Sequence, residues 1–175
     1  MSGARRAKLP LVKLRFHGRE MGGVMGAKEE FPALLEPGVH SYTLDELSKL
    51  TVEKFDSVRR EELYKNLCLF SQELESTGIA AKLWVDGSFL TQKPDPNDID
   101  LVVMFCPKSV DALPPDSQRA LVLLLDNQAS KARFSLDVYC IDYNNAQDCS
   151  YWRGWLGFHR DGITAKGFVA IGACP

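Results

Sequence analysis

Histidine is scarce in this chain, with His17, His40 and His159 standing far apart. Their scatter supports neither a zinc site nor a Cys–His nucleophile pair, and His159 reads as a surface or substrate-edge residue at most. The five cysteines, Cys68, Cys106, Cys140, Cys149 and Cys174, show no Cys-x-x-Cys spacing and read as reduced, mostly buried thiols. No run of eighteen apolar residues occurs. The basic start meets Leu9-Pro10-Leu11-Val12 and then Lys13, a stretch too short for a signal sequence. The expected setting is therefore cytoplasmic, with no membrane partner. An excess of positive charge is absent as well: 21 Lys and Arg face 23 Asp and Glu, a formal net charge of −2, so binding a long polyanion is not the default expectation. Gly22-Gly23-Val24-Met25-Gly26 lacks the Gly-Lys-Ser/Thr ending of a phosphate loop, and no internal repeat is present.

What is present suffices for one core. At 175 residues and 45% hydrophobic, the chain is long enough to bury a sizeable interior and short for two domains. Residues 1–30 carry Arg5, Arg6, Lys8, Lys13, Arg15 and Arg19 before the glycine cluster and read as a flexible basic arm, with Met21 and Met25 as alternative starts of translation. Residues 31–175 are expected to form a single domain. Glu36-Pro37-Gly38-Val39-His40 reads as a turn. Thr43-Leu44-Asp45-Glu46 has capping-box spacing and predicts a helix to about Phe55. From Ser57 to about Ser76, Leu63, Leu67, Phe70 and Leu74 recur at helical spacing, with Gly78 placed to end that helix. Pro114-Pro115-Asp116 opens a third helix whose Leu121, Leu124 and Leu125 face inward before Asn127.

The densest chemistry lies between two strands. Lys82-Leu83-Trp84-Val85 reads as a strand stopping at Gly87-Ser88, and nine residues later comes Asp98-Ile99-Asp100, leading into the apolar Leu101-Val102-Val103-Met104-Phe105. A strand alternates its side chains with period two, so Asp98 and Asp100 share a face while Ile99, Leu101 and Val103 point to a core. Two carboxylates held together repel unless a cation or a shared proton offsets the charge. Mg²⁺, which takes oxygen ligands and is commonly held by one or two carboxylates plus substrate phosphates, suits the pair. A turn at Gly87-Ser88 presents backbone N–H groups and a hydroxyl, as phosphate sites do. The plainer alternatives are a common Gly-Ser turn and a solvated strand start after Pro94-Asp95-Pro96-Asn97.

These residues resemble the nucleotidyltransferase superfamily of the DNA polymerase β type, whose signature is Gly-Ser or Gly-Gly, about ten residues, then Asp-x-Asp or Asp-x-Glu. The closer likeness is to small bacterial nucleotidyltransferase-like proteins. Their motifs have counterparts here at Trp84 to Phe89, Lys93 to Asp100, Tyr151 to Gly154 and Lys166-Gly167. The resemblance spans about residues 36–171. It implies an α/β (α+β) nucleotidyltransferase fold, a short mixed sheet with helices packed mainly on one side. Asp86 departs from the superfamily pattern, where an apolar residue usually precedes the glycine. It reads first as a turn-forming residue facing water and second as a neighbour of the metal site.

The resemblance also implies a third carboxylate on a neighbouring strand, as base and metal ligand, and Asp137 is the candidate. Arg133 to Ile141 reads as a strand with Phe134, Leu136, Val138 and Cys140 on one face and Ser135, Asp137 and Tyr139 on the other; Asp142 has the wrong parity. Two-metal sites space their ions roughly 3.5–4 Å apart, and three carboxylates meet that need. The late cluster Tyr151 to Arg160 mixes aromatic residues with arginines. Arg153 and Lys166 are candidates to hold a triphosphate, and a ring to stack on a base, although aromatic residues this dense also suit a core or a partner interface.

The expected activity is transfer of a nucleoside monophosphate from a nucleoside triphosphate to a hydroxyl of RNA, protein or a small molecule, with pyrophosphate leaving. Mg²⁺ or Mn²⁺ is the implied cofactor. Asp98, Asp100 and Asp137 would hold metal and activate the acceptor, with Gly87, Ser88, Arg153 and Lys166 holding the nucleotide. Acceptors such as tRNA or a protein fit this reading. The alternative is a partner-binding component of a bacterial toxin–antitoxin or phage-defence pair, with a cognate toxin or antitoxin as partner. Hydrolysis of phosphodiesters by the same acids is a weaker third, because the Gly-Ser element is better explained by a nucleotide.

Overall fold

The computed structural model describes residues 29–172. The expected basic arm, the alternative starts and Cys174 lie outside or almost outside them. The elements run β1 (Gly38–Ser41), α1 (Leu44–Thr51), α2 (Val58–Ser76), β2 (Ala81–Asp86), β3 (Ile99–Phe105), α3 (Pro107–Val110), α4 (Pro115–Leu124), α5 (Asn127–Phe134), β4 (Leu136–Asp142), α6 (Ala146–Leu156) and β5 (Gly167–Ile171). Five strands form one mixed sheet in the order β1-β5-β2-β3-β4. β1 runs parallel to β5 and β3 parallel to β4, while β2 is antiparallel to both of its neighbours. A parallel pair needs a crossover, and α3, α4 and α5 supply it between β3 and β4. The fold is thus mixed α+β.

Local signals explain the helices. Thr43 accepts from the Glu46 N–H and Glu46 reaches back to the Thr43 N–H at 2.8 Å, closing the expected capping box on α1. That helix stops at Thr51 rather than Phe55, because Val52 to Phe55 close a turn that puts the Phe55 ring 3.7 Å from the Arg60 guanidinium. Ser57 caps α2, whose Leu63, Leu67, Phe70 and Leu74 are buried as the spacing predicts. α4 buries Leu121 and Leu124.

Register sorts the sheet into two faces. Leu83, Val85, Leu101, Val103, Val138 and Cys140 share one face, and the Cys140 thiol lies 3.9 Å from the Leu125 carbonyl at the end of α4. Trp84, Asp86, Asp100, Val102, Asp137, Tyr139 and Phe168 share the other, which α6 covers through Trp152, 4.6 Å from the Tyr139 ring. Phe70 of α2 meets Phe134 of α5 edge-on at 5.8 Å. Fully burying one such ring contributes about 1.5–3 kcal/mol.

Three expectations are corrected. Gly38 to His40 is not a turn but most of β1, paired with β5 far along the chain. Arg133 and Phe134 belong to α5 rather than to β4: Ser135 ends the helix in the left-handed conformation, φ 57°, before the strand begins. Of the four described cysteines, all free thiols, only Cys140 is buried, and Cys68, Cys106 and Cys149 are half-buried. His159, half-buried, has its Nδ1 4.0 Å from the Glu30 carboxylate. Among the described residues no helix is long and apolar enough to cross a membrane.

Candidate active site

The end of the sheet carries a row of acids. Asp86, the last residue of β2, lies directly opposite Asp100 on β3, and Asp100 lies beside Asp137 on β4. Neighbouring strands stand about 4.7–4.9 Å apart, and like charges directly opposite destabilise a sheet. Asp98 is two residues earlier on the same side, at the mouth of β3. The spacing seen in the sequence therefore brings Asp98, Asp100 and Asp137 together, and adds Asp86.

Two lysines answer this charge. Lys166 places its ammonium 2.6 and 2.5 Å from the two Asp86 oxygens. Lys131, one face of α5, sits 3.1 Å from Asp98 Oδ2 and 3.1 Å from Asp137 Oδ2. Asn127, four residues earlier and so on the same helical face, donates to Asp137 Oδ1 at 2.5 Å and to the Val138 carbonyl at 2.9 Å. The helix that flanks β4 thus aims the Asp137 carboxylate from two points.

Gly87 owes its identity to the acid row. Its φ is +88°, and a Cβ there would lie 2.5 Å from Asp100 Oδ2 and 3.2 Å from the Asp100 N–H nitrogen. Any side chain would push the carboxylate away. A short 3₁₀ turn, Ser88–Leu90, starts at that glycine. The loop onward to Asp98 is held by Arg60, a fully buried residue at the start of α2. Its guanidinium donates to the carbonyls of Thr51 (2.9 Å), Phe89 (2.9 Å), Thr91 (2.7 Å), Lys93 (2.7 Å) and Pro94 (3.1 Å). Arg59 donates to the carbonyl of Asn97, and Ser57 to Asp95 at 2.7 Å. One end of α2 therefore fixes the path between Gly87-Ser88 and Asp98.

Burial tunes these groups. Asp86 is 5% exposed; desolvation drives its pKa up to about 7, with Asp100 adding to the rise and Lys166 opposing it. Desolvation acts to lower the pKa of Lys131, but its hydrogen bonds to Asp98 and Asp137 and their charges prevail and hold the ammonium above its usual value. Burial brings Arg60 down to about 10 against the pull of Asp95, so it remains a cation at neutral pH.

The other expected site residues are placed differently. Asp86 faces neither water nor a turn: it is buried against Lys166, so its reading as a turn-forming residue is corrected. Lys166, expected on the nucleotide, is 9% exposed and engaged with Asp86. The glycine after it has its own reason, since a Cβ on Gly167 would collide with the Glu36 carbonyl and come within 2.8 Å of Leu35 Cβ. Arg153 is exposed on α6, with its guanidinium carbon 5.8 Å from the Trp84 ring, on the face of the sheet that carries the acids. Ser88 follows Gly87, half-buried. Sequence reasoning missed Lys131, Asn127 and Arg60. The first two carried a signal, their four-residue spacing just before Asp137; a lone arginine on a helix carried none.

Asp98 and Asp137 converge on one cation, Lys131, and their hard oxygens are the donors that Mg²⁺ or Mn²⁺ takes, so the chemistry of the residues fits such an ion. Among the described residues, no three His, Cys, Asp or Glu side chains are gathered closely enough to hold a metal.

No curated protein and no solved structure matches the chain. Residues 29–172, the whole of the described domain, match the family of unknown function DUF6932, and to that family the chain belongs.

Proposed function

We propose that this protein is a metal-dependent nucleotidyltransferase that moves a nucleoside monophosphate from a triphosphate to a hydroxyl. The nucleotidyltransferase fold is part of the same proposal. The observation that carries it is the register: Asp100 lies between Asp86 and Asp137 on adjacent strands, with Asp98 on the same side and Gly87 packed against Asp100. Folding four carboxylates onto one sheet end with two lysines leaves two formal negative charges, an arrangement that a cation-bound, phosphate-bearing substrate rationalises.

Asp98, Asp100 and Asp137 would hold Mg²⁺ or Mn²⁺. When bound, the ion supplies neutralisation of the phosphate charge and a template for in-line displacement. The Gly87-Ser88 turn binds the triphosphate through backbone N–H groups and the Ser88 hydroxyl, and Arg153 approaches from α6 as a clamp on phosphate oxygens. Asp137, aimed by Asn127, takes the proton of the acceptor hydroxyl. The acceptor oxygen then bonds to the α-phosphorus while the bond from that phosphorus to the α–β bridging oxygen breaks, and pyrophosphate leaves. Lys166 acts at one remove, by keeping Asp86 neutralised behind Asp100.

The test is incubation of the protein with Mg²⁺ and each α-³²P-labelled triphosphate, with total tRNA and cell protein as acceptors. Asp98→Ala/Asp100→Ala serves as the control. Label moving only with intact acids supports the reading, and a fully active double variant overturns it. A second reading, a partner-binding member of a toxin–antitoxin or defence pair, draws support from α6. Tyr151 and Trp155 are exposed and stacked there at 6.3 Å, with exposed Phe158 nearby in the chain. Absence of both label transfer and nucleotide binding would favour it.

A further inference from the structure

We propose that Lys131 is a built-in competitor for the cation site, its ammonium seated where Asp98 and Asp137 converge and leaving when a divalent ion enters. This rests on the metal-binding reading above. The Lys131 nitrogen is 3.1 Å from Oδ2 of each acid, so lysine and metal claim the same two oxygens. A Mg²⁺ ion sits about 2.0–2.1 Å from its ligands, so metal and ammonium on the same two oxygens would set two positive charges against each other at close range.

The lysine is built to leave. Its side chain is 49% exposed, on a flexible stem, and can carry its charge into solvent with little loss of packing. What remains is already organised. Asn127 holds the other Asp137 oxygen at 2.5 Å, and Gly87 leaves room for the Asp100 carboxylate. The lysine therefore offsets repulsion among the acids while no metal is bound and lowers apparent metal affinity by the fraction of molecules in which it is seated.

The experiment is Mn²⁺ titration of the full chain, read by the electron paramagnetic resonance of free Mn²⁺ and by the rise in Tm at saturating Mn²⁺. Lys131→Met is expected to bind Mn²⁺ about tenfold more tightly, equivalent to about 1.4 kcal/mol, and to show the larger Tm rise. Lys131→Gln, which keeps a donor without the charge, provides a second measure of the same effect. Lys131→Arg, retaining a cation, stays within about threefold of the parent. Arg133→Met removes a positive charge from the same helix but one paired with Glu73. It is expected to change affinity less than twofold, which separates a seated competitor from the general field of a nearby cation. Equal or weaker binding by folded Lys131→Met and Lys131→Gln overturns the competitor and leaves the metal site standing. No Mn²⁺ binding by the parent or any variant overturns the metal reading and the competitor with it.

Discussion

Two lysines meet two sets of carboxylates at the same sheet end, and they do so in opposite ways. Lys166 and Asp86 are both nearly inaccessible, joined by two short contacts at the junction of β2 and β5. Lys131 is half in solvent and divides itself between Asp98 and Asp137, the former itself partly exposed. Burial decides what each pair does. A buried charge that loses its partner has nowhere to turn, so the first pair is a fixed part of the fold. An exposed ammonium is screened and replaceable, so the second pair can exchange its cation, as the proposed site requires.

Lys166→Met should break the fixed pair and cost up to about 3–5 kcal/mol in a urea melt above pH 7, because Asp86 is left buried without its partner and must either stay charged or take up a proton. Asp86→Leu combined with Lys166→Met should restore most of that loss, and a double variant no more stable than the single would contradict the role assigned to burial. The same pair sets a pH dependence. The folded Asp86 carboxyl has its pKa raised from an ordinary 3.8 to about 7, so the folded state holds a proton that the unfolded chain releases. Its contribution is complete below about pH 4 and is lost as pH rises towards 7. Lys166→Met removes the influence opposing that rise, so the stability gap between variant and parent should stay level from about pH 4 to 6 and widen above pH 7, where the parent's folded Asp86 gives up its proton and the variant's does not.

Next in size is Arg60→Met. It strips donors from the carbonyls of Thr51, Phe89, Thr91 and Lys93 and should cost about 2–4 kcal/mol, loosening the loop that leads to Asp98. Protease cleavage within residues 89–97 should rise before global unfolding; an unchanged cleavage pattern would show that the loop holds itself. Gly87→Ala should cost about 1–3 kcal/mol for its φ of +88° and also shift Asp100, which a crystal structure of the variant would show directly. Smallest is Lys131→Met, at most about 1 kcal/mol by urea melt without metal, since the ammonium is half exposed and the buried Asp137 keeps its hydrogen bond from Asn127. A loss as large as that of Lys166→Met would erase the contrast between the two pairs.

Elements set by local chemistry could be read from the chain itself. The Thr43–Glu46 box, the Ser57 cap, the stripe along α2 and the parity of Asp98, Asp100 and Asp137 all depend on neighbours within a few residues. What escaped depends on distant partners. Asp86 looked like a turn residue because the lysine that buries it lies 80 positions away, and β1 looked like a turn because its strand partner is β5. α5 escaped for another reason. Asn127-Gln128-Ala129-Ser130-Lys131-Ala132-Arg133-Phe134 is mostly polar and buries only Ser130 and Phe134, so it has no apolar stripe to announce it. Its exposed face is where the acid-holding Asn127 and Lys131 project.

The central claim, that this sheet end is a cation site closed by a displaceable lysine, is tested most directly by Mn²⁺-soaked crystals and anomalous scattering. The account predicts a peak among Asp98, Asp100 and Asp137, with the Lys131 ammonium moved off both carboxylates and Lys166 still on Asp86. Lys131 still between Asp98 and Asp137 with no peak at saturating Mn²⁺, or a peak elsewhere on the protein, would contradict it.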